Sequence, residues 1–168
     1  MSVDVRVCDG CNQAMVFDGM GLVPKRNDRL FGVAWKCSKC SKKALDMCPI
    51  GPIVPAPGLC LNCGGILTAD GAATCLACGM SRAQTLEFFR IDESWSTDAA
   101  IDVARQAFAP GLCRLGLGIL NYVLQKEPGT EEAWVIKYQV YQMLKMDATA
   151  LQEFETAAGR IVERGNWA

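Results

Sequence analysis

The chain has 168 residues, enough for one ordinary domain or two to three small ones, and 51% of them are hydrophobic, so a core can be buried. A net charge of −1 excludes the strongly basic footprint of a dedicated nucleic-acid binder, and no apolar run reaches the length of a membrane span. Histidine is absent, which removes the commonest general base, whereas cysteine occurs ten times. The opening MSVDVRV has neither the basic nor the apolar region of a secretory signal, so the expected location is cytoplasmic. In that compartment paired cysteines bind metal more often than they form disulfides.

Eight of the ten cysteines fall into four C-x-x-C pairs. Two intervening residues let a tight turn aim both sulfurs at one point, and the residue after the second cysteine often needs a positive φ. Residues 1–49 hold the first two pairs, Cys8/Cys11 and Cys37/Cys40, followed by Asn12 and Ser41. Alternation at Val3, Val5 and Val7 leads into one turn, and Phe31 to Trp35 leads into the other. Between them LVPKRNDRL is polar and reads as an exposed loop. We read this segment as a long ribbon or a rubredoxin-like unit with Cys8, Cys11, Cys37 and Cys40 as ligands. Four sulfurs suit zinc or iron. Asn12 and Ser41 stand where an electron carrier would have glycine or an aromatic, which favours zinc. Lys25, Arg26, Arg29, Lys36 and Lys39 accompany Trp35, a combination that can bind phosphate and stack a base.

IGPIVPAPG, residues 50–58, carries three prolines and is expected to be a stiff linker. It favours two sequential sites over a cross-braced pair. Residues 59–81 hold Cys60/Cys63 and Cys75/Cys78, each pair followed by glycine. The intervening ILTADGAAT reads as two short strands joined at Asp70–Gly71, with Ile66, Thr68 and Thr74 favouring strand. This segment resembles the zinc ribbon family in its CxxCG–hairpin–CxxCG form. The resemblance implies that Cys60, Cys63, Cys75 and Cys78 bind one zinc ion. Sites with four thiolates are closed, unlike catalytic zinc, so two structural zinc ions are expected. A thiol redox couple would use one pair at a helix start in a βαβ setting, which this pattern does not provide. Cys48 and Cys113 read as small buried residues.

Residues 82–96 form a connector with a mixed amphipathic piece. Four helices follow. The first is capped at Ser96 or Thr97, with Asp98 in its first turn and Ile101, Ala104 and Phe108 on one side; Pro110–Gly111 ends it. The second runs over 112–126 with Leu115, Ile119, Leu120 and Val123, and Pro128–Gly129 ends it. The third, 131–145, carries Trp134, Val135, Tyr138, Tyr141 and Leu144. The fourth, 148–163, is capped by Asp147 and carries Leu151, Phe154, Ala158 and Ile161. Residues 165–168 are a tail whose Trp167 is expected to pack on the last helix.

Taken as units, 97–130 and 131–164 have equal length. The second resembles the tetratricopeptide repeat family at Trp134, Tyr141, Ala150, Phe154 and Ala157, and the first at Ala104 and Pro128. It departs at Lys137, Tyr138, Ala100 and Ala107. The resemblance implies a shallow groove that binds a protein partner or a second copy through Ile101, Arg105, Phe108, Val135, Gln139, Gln142 and Met143. The expected fold is small zinc-bound β ribbons followed by all-α helical hairpins, α+β and multi-domain overall. No nucleophile–base pair, phosphate loop or dinucleotide fingerprint is visible. The expected function is a non-catalytic zinc-binding adaptor with no small-molecule substrate. A nucleic-acid-binding ribbon and a rubredoxin-like electron carrier are the alternatives.

Overall fold

The computed structural model describes residues 6–23, 30–146 and 148–164. The expectations at Val3, Val5, Lys25, Arg26, Arg29, Asp147 and Trp167 lie outside them. The architecture is α+β: a three-stranded antiparallel sheet with cysteine turns at one end, a short second cysteine ribbon, and helices.

The sheet has the order β1 (Met15–Leu22), β2 (Leu30–Cys37), β3 (Lys43–Pro49). Only β2 was legible as a strand. MVFDGMGL in β1 contains two glycines and an aspartate, which strands disfavour. Its register with β2 shifts between Phe17 and Gly19, and Gly19 takes up the irregularity at φ +148°. In β3 the alternation is inverted, because Leu45 and Met47 face out while Asp46 and Cys48 face the interior. Along β2, Phe31, Val33, Trp35 and Cys37 form the inner face. That face lies on the turn around Gly111 and Cys113. Met20 Sδ is 3.0 Å from Cys113 Sγ, and a Cβ on Gly111 would clash with the Phe17 ring.

The helices are α1 (Arg82–Phe88), α2 (Thr97–Phe108), α3 (Cys113–Lys126), α4 (Glu131–Met143) and α5 (Ala148–Arg164). Ser81 caps α1 in a capping box: Gln84 N–H donates to Ser81 Oγ at 3.2 Å, and Ser81 N–H to Gln84 Oε1 at 2.9 Å. Ser96 caps α2 by accepting from Ala99 N–H. Lys145, at φ +56°, turns the chain out of α4.

Helix α3 is the hub. Every residue from Gly116 to Leu124 is buried, so it is enclosed on all sides rather than along one stripe. Its glycines explain how. A Cβ on Gly116 would stand 2.5 Å from Phe108 of α2, and one on Gly118 would fall on the Phe89 ring, just after α1. Each glycine thus admits an aromatic ring from an opposite side.

The segment expected to be a linker is packed instead. Ile50, Gly51, Pro52 and Pro55 are buried. A stretch with three prolines is short of N–H donors, so its carbonyls need donors from elsewhere. Lys137 Nζ donates to Pro52 O (2.7 Å), Ile53 O (3.0 Å) and Asn121 Oδ1 (2.6 Å). Gln125 Nε2 donates to Ala56 O and Leu59 O. Lys137 is 0% exposed, and its ammonium also lies 5.5 Å from the Tyr141 ring centre and 5.8 Å from that of Phe154. Burial pulls its pKa well below the ordinary lysine value, and these acceptors and ring faces oppose the pull.

Candidate metal centres

Four copies of one turn build the two centres. In the first unit Cys8 N–H donates to Gln13 O, and Asn12 N–H to Cys8 O. Cys37 N–H donates to Lys42 O, and Ser41 N–H to Cys37 O. In the second unit Cys60 pairs likewise with Gly65 and Gly64, and Cys75 with Met80 and Gly79. The residue after each second cysteine is left-handed: Asn12 (φ +56°), Ser41 (+58°), Gly64 (+77°) and Gly79 (+76°). Serine takes this conformation as well as the three residues that tolerate it best.

The structure brings the eight paired cysteines together as two sequential tetrads, Cys8/Cys11/Cys37/Cys40 and Cys60/Cys63/Cys75/Cys78. Within each, all four sulfurs lie within 4.8 Å of one another. Nearest separations are 3.5 Å (Cys8–Cys40), 3.4 Å (Cys11–Cys37), 3.7 Å (Cys60–Cys78) and 3.5 Å (Cys63–Cys75). A tetrahedral ion with metal–sulfur bonds of about 2.3 Å would set neighbouring sulfurs about 3.8 Å apart. The donor sets therefore fit one ion each.

The second ribbon is not a plain two-strand hairpin. Its pairing consists of single bridges: Leu59 with Ile66, Leu67 with Cys75, and Thr74 with Ser81. The turn at Asp70 is wider than the Asp-Gly signal implies. Asp70 Oδ1 accepts from Thr68 Oγ1 and Ala73 N–H, and Ala73, not Gly71, is the left-handed residue at φ +45°. Gly65 passes over the sulfurs: a Cβ there would lie 2.8 Å from Cys75 Sγ and 3.3 Å from Cys63 Sγ. N–H groups of Gly65, Ala77 and Cys78 point at sulfur at 3.4 to 3.5 Å.

Without a cation the sulfurs of each tetrad divide their protons unequally. In the first, the Cys40 N–H leads the contacts that pull Cys37 down to about 6, while donation to Cys37 pushes Cys11 up to about 12. In the second, burial pushes Cys75 up, but the N–H groups of Cys78 and Ala77 and the adjacent thiols outweigh it and leave about 7. Burial chiefly pushes Cys63 up to about 12. A divalent ion is what would let all four sulfurs ionise together. Lys42, 2.7 Å from Asp9, adds a positive charge near Cys8 and Cys40.

No protein-family model, curated protein or solved structure matches the chain. Among the described residues, no helix is long and apolar enough to cross a membrane.

The other expected site residues separate. Arg105, Phe108, Val135, Gln139 and Met143 line one cleft between α2 and α4, with Glu131 and Glu132 at its edge. Arg105 pairs with Glu132 across it. Ile101 does not belong there: it is 1% exposed, on the side of α2 that packs into the core. Gln142 is exposed outside the cleft. In the first ribbon Lys36 and Lys39 are exposed, but Trp35 is only 7% exposed because even spacing with Phe31, Val33 and Cys37 puts it on the inner face. It is not on the outer face of the ribbon with Lys36 and Lys39, where a nucleic-acid strand would lay a base. Sequence reading missed the role of Lys137, although a lysine between Trp134 and Tyr141 on an apolar helix face was the available signal.

Proposed function

We propose that the protein is a non-catalytic zinc-binding adaptor of the cytoplasm. Its two tetrads hold structural zinc, and its α2–α4 cleft docks an apolar segment of a protein partner or of a second copy. The carrying observation is the pair of closed four-sulfur centres. A chain with no histidine and all paired thiols converging on two points has the donor set of structural zinc. Such an ion contributes about 10–16 kcal/mol to folding. Small domains are stable by about 5–15 kcal/mol in all. Zinc is therefore enough to decide whether these units fold. None of the ten cysteines is in a disulfide, which suits a reducing compartment.

The docking reading rests on the cleft of about 600 Å³ and on two apolar side chains at its wall, Val135 and Met143, exposed to 54% and 59%. Its acidic edge favours a segment that carries a basic residue beside its apolar ones. Val135→Asp and Met143→Asp test this. Both sites are exposed, so the variants should melt with the parent. The parent is expected to show a concentration-dependent dimer or a co-purifying protein in sedimentation, and each variant should lose it. Unchanged association in both variants excludes the cleft. A red, iron-containing preparation would instead point to electron transfer at the first tetrad.

A further inference from the structure

A cavity of about 470 Å³ lies where the inner face of the β1–β3 sheet meets α1 and the start of α3. It shares no lining residue with the α2–α4 cleft. Its size is that of small-molecule sites, which are apolar with a few fixed polar groups. Its apolar wall comes from Trp35, Phe88, Phe89, Leu112 and Leu115.

The polar groups give the ligand its sign. The wall carries two carboxylates, Asp46 and Glu87, and two guanidinium groups, Arg90 and Arg114. Asp46 is already paired with Arg6. Arg114 is half-buried and held in place: it donates to Asn62 Oδ1, and its guanidinium lies 4.4 Å above the Phe88 ring. No carboxylate meets it among the described residues, and its Nε finds no acceptor. Trp35, more than nine-tenths buried, likewise has an Nε1–H without an acceptor. Two donors without acceptors, one of them cationic, therefore belong to residues at one aromatic-walled cavity. Buried donors of this kind call for a partner. Cys48 and Cys113 also line the cavity, and burial pushes both thiols up, Cys113 to about 12, so they are neutral and do not neutralise Arg114.

We infer that this cavity binds a small aromatic carboxylate, with its anionic group on Arg114 and its ring among Trp35, Phe88 and Leu112. The zinc-loaded full chain, labelled with nitrogen-15, is titrated with 1-naphthoate and, separately, with neutral 1-naphthalenemethanol. Saturable shifts of the Trp35 indole N–H and of residues 111–115 are expected, with naphthoate at least about tenfold tighter than the alcohol. Arg114→Met should weaken naphthoate by at least about tenfold. Leu115→Trp, which fills the cavity while leaving the Arg114–Asn62 contact, should abolish binding with folding retained. Shifts centred on Val135 and Met143, equal affinity for acid and alcohol, or unaltered binding by a folded Arg114→Met chain would each overturn the assignment. The comparison of acid with alcohol uses the parent chain, so it decides even if a variant fails to fold.

Discussion

Gly65 and Lys137 are single residues on which whole units depend. Gly65→Ala would thrust a methyl group between Cys63 and Cys75. We expect the second tetrad to bind zinc about tenfold or more weakly while the first is unchanged, in line with the effect of disturbing a ligand's immediate surroundings. Competition with a chromophoric chelator reads this directly, and two equally tight ions in the variant would contradict it. Lys137→Met leaves Pro52 O, Ile53 O and Asn121 Oδ1 without their shared donor. Each unmet buried acceptor costs about 1–3 kcal/mol, while removing a buried charge returns part of that. The net expectation is a loss of about 2 kcal/mol in urea unfolding, with faster amide exchange around residues 50–55.

At the scale of elements, α3 sets a contrast that its two glycines can test. Glycine to alanine inside a helix gains about 1 kcal/mol in propensity. At Gly116 the new methyl group meets Phe108, which is partly exposed and can swing outward, so the substitution should be near neutral. At Gly118 it meets Phe89, which is 2% exposed and has nowhere to go. Overpacking there costs about 1–3 kcal/mol, so Gly118→Ala should be the less stable variant by denaturant midpoint. Equal midpoints would show that α3 is not tightly enclosed. The same elements show what could be read in advance. The bounds of α2 and α3 were legible because the Ser96 cap and the Pro110–Gly111 and Pro128–Gly129 stops are local chemistry. The cysteine turns were legible because two residues between cysteines make a tight turn that aims both sulfurs at one point, a purely local signal. Strands β1 and β3 were not, because a glycine bulge and an inverted alternation hide their period. The burial of α3 was signalled by LGLGILNYVL but depended on partners far along the chain. The tie between Lys137 and Pro52 spans 85 positions, so the lysine on the apolar face of α4 signals that it is buried but not which carbonyls it meets.

For the molecule as a whole, the two tetrads, the packed 50–58 segment and α3 form one structure in which ribbons and helices share contacts. Removing metal should therefore be felt beyond the ribbons. The protons on the sulfurs give the direction with pH. Cys11 and Cys40 in one tetrad, and Cys60 and Cys63 in the other, have raised pKa values and hold protons at neutral pH when no ion is bound. Zinc uptake must displace them, so at least these two protons per ion are released at pH 7 and loading falls as pH falls. A pH indicator in weak buffer reads the release, and loading that does not change with acidification would argue against thiolate ligands. The most direct measurement is native mass spectrometry of the purified chain, followed by circular dichroism after chelation. The account predicts a mass increase of two zinc ions and loss of the folded signal when both are stripped. A chain that carries no metal and keeps its fold and its full complement of free thiols would contradict it.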